Sequence, residues 1–118
     1  MPRQSPALDD EDPRSILCRQ CRENITALPY RISVQGAHRH TFANPMGAVF
    51  EIDCFSQVRA IVYVGQETDE FTWFKGFRWR IAVCGRCQVH LGWRFTSAGA
   101  ADFHALIVDR LLFPDQDK

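Results

Sequence analysis

The chain has 118 residues, 46% of them hydrophobic and 24% charged, and its formal net charge is zero. This length and composition indicate one globular domain with a modest core, and they exclude a strongly basic protein of the kind that binds nucleic acids through its net charge. The sequence contains no run of about eighteen apolar residues and no apolar segment near its start, so we expect neither a membrane helix nor a signal peptide, and a cytoplasmic location.

The first fourteen residues are predicted to form a disordered acidic leader. They contain three prolines, the acidic run 9–12 and few apolar side chains, so they cannot bury enough surface to offset the entropy of ordering. Residues 114–118 are predicted to be a short tail. The folded domain is therefore expected to span residues 15–113.

Alternating and β-branched residues predict a mainly β domain. Strands are expected within residues 25–34, 38–43, 48–55 and 58–64, and a loop at 65–70. The run Asn44-Pro45-Met46-Gly47 is a turn signal, because proline presets one dihedral and glycine admits a positive φ.

The second half of the chain is predicted to hold three further strands and a helix. Strands are expected at 71–74 and 77–83, joined as a hairpin by Lys75-Gly76, and at 91–96, where Leu91, Trp93 and Phe95 would share one face. In residues 102–112 the apolar positions recur at helical spacing, which predicts one C-terminal helix that ends before Pro114.

Four of the five cysteines form two Cys-x-x-Cys pairs, which predict a metal site. Four thiolates suit tetrahedral zinc, and a fully protein-bound ion leaves no open position for catalysis, so we expect structural Zn²⁺. A disulfide, a redox pair or an iron centre are the alternatives. The predicted ligands are Cys18, Cys21, Cys84 and Cys87.

The remaining cysteine and the histidines are expected to be structural. Cys54 is interpreted as a buried apolar residue on a strand face. His38 and His40 resemble a His-x-His metal motif, but four thiolates are already available, so a loop or strand role is favoured. His90 and His104 are expected to face polar neighbours or solvent.

Aromatic residues are concentrated between residues 70 and 95, where all three tryptophans lie. Trp73, Trp79 and Trp93, together with Phe95, fall on consecutive predicted strands and could line a binding site. Because indole is large and its N–H needs a partner, three tryptophans in so short a stretch are hard to bury completely. Spacing alone does not separate a binding cage from an ordinary core.

The order of these motifs resembles the CULT domain, the thalidomide-binding domain of cereblon, and in particular its short single-domain bacterial relatives. The resemblance covers residues 16–113. The motifs that carry it are CRQC, FANPMG, EFTWFKGFRW and CGRCQVHLGWRF.

The resemblance implies a zinc-stapled β-tent of two antiparallel sheets meeting near a right angle. It implies a cage for cyclic imides, such as the glutarimide ring of thalidomide-type drugs or uridine-like ligands, or a peptide end modified to a cyclic imide. The family's cage falls on Trp73, Trp79 and Trp93 and its floor on Phe95, while the backbone of Phe71 and Trp73 would hydrogen-bond the imide edge. Asn44, Pro45 and Phe50 match the family residues that close over the ligand.

Two departures limit what the resemblance carries. Position 71 is Phe where the eukaryotic protein has His. Because the contact expected there is made by the backbone, we expect binding to survive with altered selectivity. We expect no Lon-like domain before this segment, and therefore no ubiquitin-ligase partner is carried over. We expect a non-enzymatic binding domain.

Three alternatives remain. The aromatic cage could bind methylated or quaternary amines through cation–π attraction, helped by the nearby Glu67, Asp69 and Glu70, although the stretch is basic overall. An enzyme related to methionine sulfoxide reductase B would need a nucleophilic cysteine in 91–96, which contains none. Nucleic-acid binding would use the basic residues of the same stretch, which we instead expect on the solvated outer face. These are Lys75, Arg78, Arg80, Arg86 and Arg94.

Overall fold

The computed structural model describes residues 12–114, and these form two antiparallel β-sheets. Nine strands follow one another within this described part of the chain: β1 Ser15–Cys18, β2 Asn24–Ala27, β3 Arg39–Ala43, β4 Val49–Phe55, β5 Ile61–Thr68, β6 Arg78–Cys84, β7 His90–Thr96, β8 Phe103–Ile107 and β9 Leu111–Leu112. The smaller sheet has the order β2-β1-β9 and the larger one β3-β4-β8-β7-β6-β5. The prediction of a mainly β fold with two antiparallel sheets is confirmed.

Two buried clusters form the core. One cluster combines the smaller sheet with one end of the larger sheet around Ile16, Phe55 and Leu106. The other is aromatic and lies against the larger sheet around Phe74, Phe95 and Phe103. Edge-to-face and stacked ring contacts join these three rings at centroid distances of 4.9–5.2 Å, which are the geometries that aromatic pairs prefer.

The predicted C-terminal helix is wrong. Residues 102–112 contain strand β8, a 3-10 turn at Val108–Arg110 and the short strand β9. All five residues of β8 are buried, because this strand lies between β4 and β7 and is covered on both faces. A strand of that kind has a continuous apolar run, and such a run also satisfies helical spacing.

The predicted hairpin at Lys75-Gly76 is also wrong. Residues 71–74 form no strand but belong to an irregular loop between β5 and β6. Phe71 has a φ of 55° and Gly76 a φ of 89°, and neither value is compatible with a β-ladder. Strand β5 extends through Thr68, so most of the predicted 65–70 loop is strand.

A β-bulge divides β7 and changes which residues share a face. Ala82 pairs with Gly92 but Val83 pairs with His90, so Leu91 is the extra residue. Leu91 packs in the first cluster, while Trp93 and Phe95 pack in the second. The expectation that these three side chains share one face is therefore wrong for Leu91.

The ends of the predicted domain are only partly described. Residues 12–14, assigned to the leader, form a turn in which Asp12 pairs with Arg14, and the Arg14 carbonyl accepts the Leu28 N–H at 3.0 Å. The rest of the predicted leader, 1–11, and tail residues 115–118 lie outside the described residues. Between residues 12 and 114 the helical segments are two three-residue 3-10 turns, and no helix there could cross a bilayer.

Candidate ligand cavity and metal centre

The two Cys-x-x-Cys pairs adopt the same backbone turn. Cys18 ends β1 and Cys84 ends β6, and in each case the N–H four residues later returns to the cysteine carbonyl, at 2.7 Å from Arg22 and 2.8 Å from Gln88. Arg22 and Gln88 both have a φ of 68°, in the left-handed region. One turn is therefore built twice, once on each sheet.

These turns bring the four cysteine Sγ atoms together. All four lie within 4.8 Å of one another, and the Cys18–Cys87 and Cys21–Cys84 pairs are each 3.6 Å apart. Four ligands about 2.3 Å from a tetrahedral ion are about 3.8 Å apart, so this donor set fits a Zn²⁺-sized ion. The predicted ligands therefore converge as for a metal site.

The environment of the sulfurs favours the thiolate at one position and opposes it at another. The Val89 backbone N–H lowers the pKa of Cys87 to about 7, while burial raises the pKa of Cys18 to about 12. The Arg86 N–H also points to Cys84 Sγ at 3.4 Å. A divalent cation would balance the charge of four thiolates, of which those of Cys18 and Cys84 are buried.

A cavity of about 500 Å³ opens beside the larger sheet, and it brings together all eight residues named above for ligand binding. The lining side chains are mostly aromatic or aliphatic. They are Asn44, Pro45, Met46, Phe50, Thr68, Glu70, Phe71, Trp73, Trp79, Ile81, His90, Trp93 and Phe95.

Strands β6 and β7 provide the floor of the cavity. Trp79 pairs with Phe95 and Ile81 pairs with Trp93, so these four side chains form a patch on one face of the sheet. Phe95 and Trp93 are 1% and 8% exposed, which leaves them fixed by the core. Trp79 is only half-buried and presents its ring to the cavity.

The loop between β5 and β6 provides a wall. Its Phe74 side chain is fully buried and anchors the segment. The neighbouring Trp73 stacks on Phe42 at 5.0 Å and meets Trp93 edge-to-face at 4.7 Å, while its Nε1–H donates to the Ala43 carbonyl at 3.1 Å. Together these contacts fix the orientation of the Trp73 ring.

The indole N–H of Trp79 also fixes this loop, since it donates to the Glu70 carbonyl at 2.8 Å. Next to Glu70, Phe71 has a left-handed backbone and a side chain that is 71% exposed. Within residues 12–114, no hydrogen bond engages the backbone N–H or C=O of Phe71 or Trp73. The cavity is thus apolar, with unpaired backbone donors and acceptors at one side.

The turn between β3 and β4 provides a third side. Asn44 Oδ1 accepts the N–H groups of Met46 and Ala48 at 3.0 and 2.9 Å, and the Asn44 N–H donates to the Ala48 carbonyl. The asparagine therefore shapes the turn that holds Pro45. Phe50, on β4, meets Trp93 edge-to-face at 5.3 Å and closes the gap between turn and floor.

His90 lines the cavity, which sequence reasoning missed. The bulge at Leu91 turns His90 onto the face of Trp93, where the two rings meet edge-to-face at 4.8 Å. The ring Nε2 lies 3.0 Å from the Gly92 carbonyl, and burial lowers the pKa of His90. A neutral histidine therefore faces the cavity at neutral pH.

The four other unpredicted lining residues are Met46, Thr68, Glu70 and Ile81. Ile81 was detectable, because it shares a face with Trp79 at strand spacing, and Met46 lies in the predicted turn. Glu70 was considered only as an acidic neighbour of a cation-binding cage, and Thr68 gave no signal, since it was expected in a polar loop.

The remaining candidate residues have structural contacts. Cys54 is fully buried on β4, and burial raises its pKa to about 12, as expected for an unreactive thiol. His38 and His40 hydrogen-bond backbone carbonyls of the segment 32–37, each at 3.0 Å. His104 was expected near polar groups or solvent; it is buried, and its Nε2 is 2.6 Å from the Tyr63 hydroxyl.

None of the five basic residues of the 70–95 stretch lines the cavity. Arg80 and Arg94 lie over the Tyr63 ring at 5.8 and 5.6 Å, and Arg78 pairs with Glu67 at 3.4 Å. Among the described residues 12–114, Glu70 is the one acidic residue in the lining, and His90 is neutral, so these residues give the cavity no positive charge.

Comparison with known proteins shows which sequences the domain resembles. No known protein-family profile matches the chain. Its sequence is 30% identical to protein cereblon from Drosophila melanogaster and 32% identical to that from Drosophila yakuba, in both cases over 72% of this chain and 15% of the relative. Protein cereblon from Drosophila virilis is 32% identical over 66% of this chain and 13% of the relative.

The chain therefore spans about one seventh of the length of the curated relatives it matches. The described residues form a mainly β structure of two antiparallel sheets with a compact cluster of four cysteines. The chain is a cereblon-like CULT domain whose four cysteines are placed to bind zinc.

Proposed function

We propose that this domain binds a small neutral cyclic imide in the cavity between the β3–β4 turn and strands β6 and β7. The observation that supports the proposal is the convergence of Trp73, Trp79 and Trp93 over Phe95 around an apolar cavity. The glutarimide of thalidomide-type drugs and the uracil of uridine-like ligands have the required chemistry, as does a peptide end closed into a cyclic imide.

The chemistry of the ring matches the lining. A flat uncharged ring loses little on desolvation of its faces, and aromatic walls replace that water. Its imide edge presents a donor between two acceptors, and the unpaired backbone groups of Phe71 and Trp73 offer the complementary set. Because leaving buried amide groups unpaired costs about 1–3 kcal/mol each, these hydrogen bonds would orient the ring.

We propose a binding role without catalysis. The buried Cys54 thiol is not among the residues that line the cavity, so the chemistry of a methionine sulfoxide reductase has no nucleophile there. With about eight heavy atoms, a glutarimide ring is expected to bind in the micromolar range.

The experiment is a titration of the protein with glutarimide, followed by tryptophan fluorescence. N-methylglutarimide is the matched control, because it keeps the ring and removes the N–H donor. We expect micromolar binding of glutarimide and at least tenfold weaker binding of the methylated ring. Equal affinities, or no response to either compound at millimolar concentration, would rule the proposal out.

We further propose that the four cysteines hold one structural zinc ion. The supporting observation is the 3.6 Å spacing of the sulfur pairs, which approaches that of a tetrahedral four-thiolate site. The ion would balance the charge of the thiolates and would cross-link the two sheets. Elemental analysis of the purified protein should give about one zinc per chain.

The charge of the cavity supports a second candidate, a reader of methylated or quaternary amines. Glu70 lines the aromatic cavity, and the arginines of the stretch lie elsewhere, so a cation would meet no repulsion there. Titration with a trimethyllysine peptide separates the two candidates. Glu70→Gln should weaken binding of the cation severalfold and leave glutarimide binding unchanged.

A further inference from the structure

The face of the larger sheet opposite the cavity carries two arginines side by side. Arg80 on β6 and Arg94 on β7 each lie between two residues that line the cavity, so by strand alternation both side chains project from the other face. The two arginines are direct cross-strand partners. Like charges in that position repel each other, so this pair needs a compensating interaction.

Tyr63 on β5 provides part of that compensation. Its hydroxyl lies 2.6 Å from His104 Nε2, so the tyrosine side chain reaches across β6 and β7 to β8. The guanidinium carbon of Arg80 is 5.8 Å and that of Arg94 is 5.6 Å from the centroid of the tyrosine ring, which is within cation–π range. Both guanidinium groups are therefore held close to one ring whose far end is fixed.

Most N–H donors of the two guanidinium groups have no partner among residues 12–114. A guanidinium group has five such donors. Arg80 uses Nε–H to donate to the Gly65 carbonyl at 2.8 Å, and Arg94 uses Nη2 to donate to the Asp102 carboxylate. The Arg94 side chain is 39% exposed and that of Asp102 is 43% exposed, so a ligand can reach the remaining donors from solvent.

The charges of this cluster do not cancel. In the described part of the chain, Asp102 pairs with Arg94, and no carboxylate pairs with Arg80. Burial, together with the nearby Arg94, lowers the pKa of His104 to about 4, so this histidine is neutral at pH 7. Two positive charges therefore stand against one negative charge. We call Arg80, Arg94, Asp102, His104 and Tyr63 the arginine-pair cluster.

A phosphate group matches the charge and the donors of the cluster. A phosphomonoester carries close to two negative charges at pH 7 and has three acceptor oxygens, and guanidinium groups bind such oxygens through parallel hydrogen bonds. A carboxylate has one charge and two acceptor oxygens, which a single guanidinium group can satisfy. Since the cluster is open to solvent, one oxygen of a bound phosphate can carry an organic substituent.

We propose that the arginine-pair cluster binds the phosphate of a small phosphomonoester on the face of the sheet opposite the cavity. Arg80 and Arg94 donate hydrogen bonds to the phosphate oxygens, and Tyr63 keeps the two guanidinium groups in position. This site does not depend on imide binding, because none of its residues lines the cavity.

The test is an NMR titration of the ¹⁵N-labelled protein at constant ionic strength, with methyl phosphate as the probe. We expect saturable shifts of the amide signals of β6, β7 and residues 102–104, with a dissociation constant on the order of 1 mM. Inorganic phosphate should bind within about threefold of methyl phosphate, because it offers the same oxygens. Dimethyl phosphate, which has one charge and two free oxygens, should bind at least about tenfold more weakly.

Variants separate a built site from general attraction by charge. Arg80→Gln and Arg94→Gln should each weaken methyl phosphate binding about tenfold, and Arg80→Lys should recover only part of that loss, because an ammonium group lacks the planar fork of donors. Asp102→Asn should bind severalfold more tightly, since it removes a repelling charge and releases Arg94. Lys75→Gln is the matched control: Lys75 is exposed and outside the cluster, so the loss of its charge should change the affinity less than about twofold.

The opposite results would overturn the inference. Shifts that do not saturate, or equal weakening in Arg80→Gln and Lys75→Gln, would mean that phosphate only screens the charge of the protein. Equal affinities for methyl and dimethyl phosphate would exclude recognition of a monoester, and binding of inorganic phosphate alone would show that no substituent fits. An Asp102→Asn protein that binds no more tightly would contradict the charge balance of the cluster. If Arg80→Gln does not fold, Arg80→Lys decides, because wild-type affinity in that variant would rule out a guanidinium site.

Discussion

Replacing Gly92 by alanine is expected to destabilise the domain strongly, because strands β7 and β8 are too close for a side chain at this position. A Cβ atom on Gly92 would lie 2.1 Å from the Ala105 carbonyl oxygen and 2.9 Å from Leu106 Cα. These are backbone atoms in the middle of the larger sheet, so they cannot rotate away. Overpacking of a core usually costs about 1–3 kcal/mol, and here ladder hydrogen bonds of about 1 kcal/mol each are also strained.

We therefore expect Gly92→Ala to lower the free energy of unfolding by about 3 kcal/mol. For a domain of this size that shift corresponds to a fall in Tm of roughly 10–20 °C. Urea unfolding, followed by tryptophan fluorescence, measures the change in midpoint. Because Trp93 adjoins Gly92, glutarimide affinity should fall as well.

Gly99→Ala is the matched control. Nothing lies within 4 Å of a Cβ at Gly99, and its φ is not in the left-handed region. Its stability should stay within about 0.5 kcal/mol of the wild-type protein, or rise slightly because alanine restricts the unfolded chain. A Gly92→Ala protein as stable as Gly99→Ala would mean that β8 does not lie against Gly92 as described.

Three further predictions concern the metal, the cavity and pH. Removal of bound metal with a strong chelator should unfold the domain, and circular dichroism should show the loss; an unchanged melting curve after verified metal loss would contradict a structural role. Trp79→Ala should weaken glutarimide binding by about 10–100-fold, since one apolar wall is lost, whereas Trp79→Phe should weaken it less; titration calorimetry gives both values, and equal losses would show that ring area is not what matters. Burial lowers the pKa of His104 to about 4, so the folded protein keeps this histidine neutral while the unfolded chain takes up a proton below about pH 6.5. The free energy of unfolding should therefore fall as the pH drops from about 6.5 towards 4, by roughly 2–4 kcal/mol in total. In the His104→Leu variant, urea midpoints across that range should lack this pH dependence.

Sequence patterns predicted the parts of the molecule that depend on local chemistry. The paired cysteines predicted the four sulfur atoms that converge in the structure, because two-residue spacing is typical of metal-binding turns. The Asn44-Pro45-Met46-Gly47 turn was recognised from the conformational demands of its residues. Strands β3, β4 and β7 were placed within a few residues by alternation and β-branching.

Features that depend on tertiary contacts could not be predicted. The apolar run 103–107 fits either a helix or a strand, and only its position between β4 and β7 decides. The bulge at Leu91 follows from pairing with β6, so the approach of His90 to the cavity had no signature in the chain. Trp73 lies in a loop because Phe71 adopts a left-handed backbone, which is unusual for a phenylalanine.

Spacing alone also did not decide whether the three tryptophans belong to the core or line a cavity. The structure gives them different roles in packing, since Trp93 is almost fully buried while Trp79 is half-exposed. The resemblance to a family suggested that the three tryptophans belong to one site, and in the structure all three line the same cavity.

The position of β8 has a consequence for when the cavity forms. Asn44 and Phe50 belong to the β3–β4 hairpin, and Trp79 and Trp93 belong to the β6–β7 hairpin. Among the strands of residues 12–114, only β8 joins these two hairpins in the larger sheet. Since β8 is the last of the six strands along the chain, a growing polypeptide has both hairpins before it has the strand that aligns them. Pairings between residues so distant in sequence make folding slow. During synthesis the two halves of the cavity therefore exist before the cavity does, and a ligand can stabilise the domain only after residue 107 has been added.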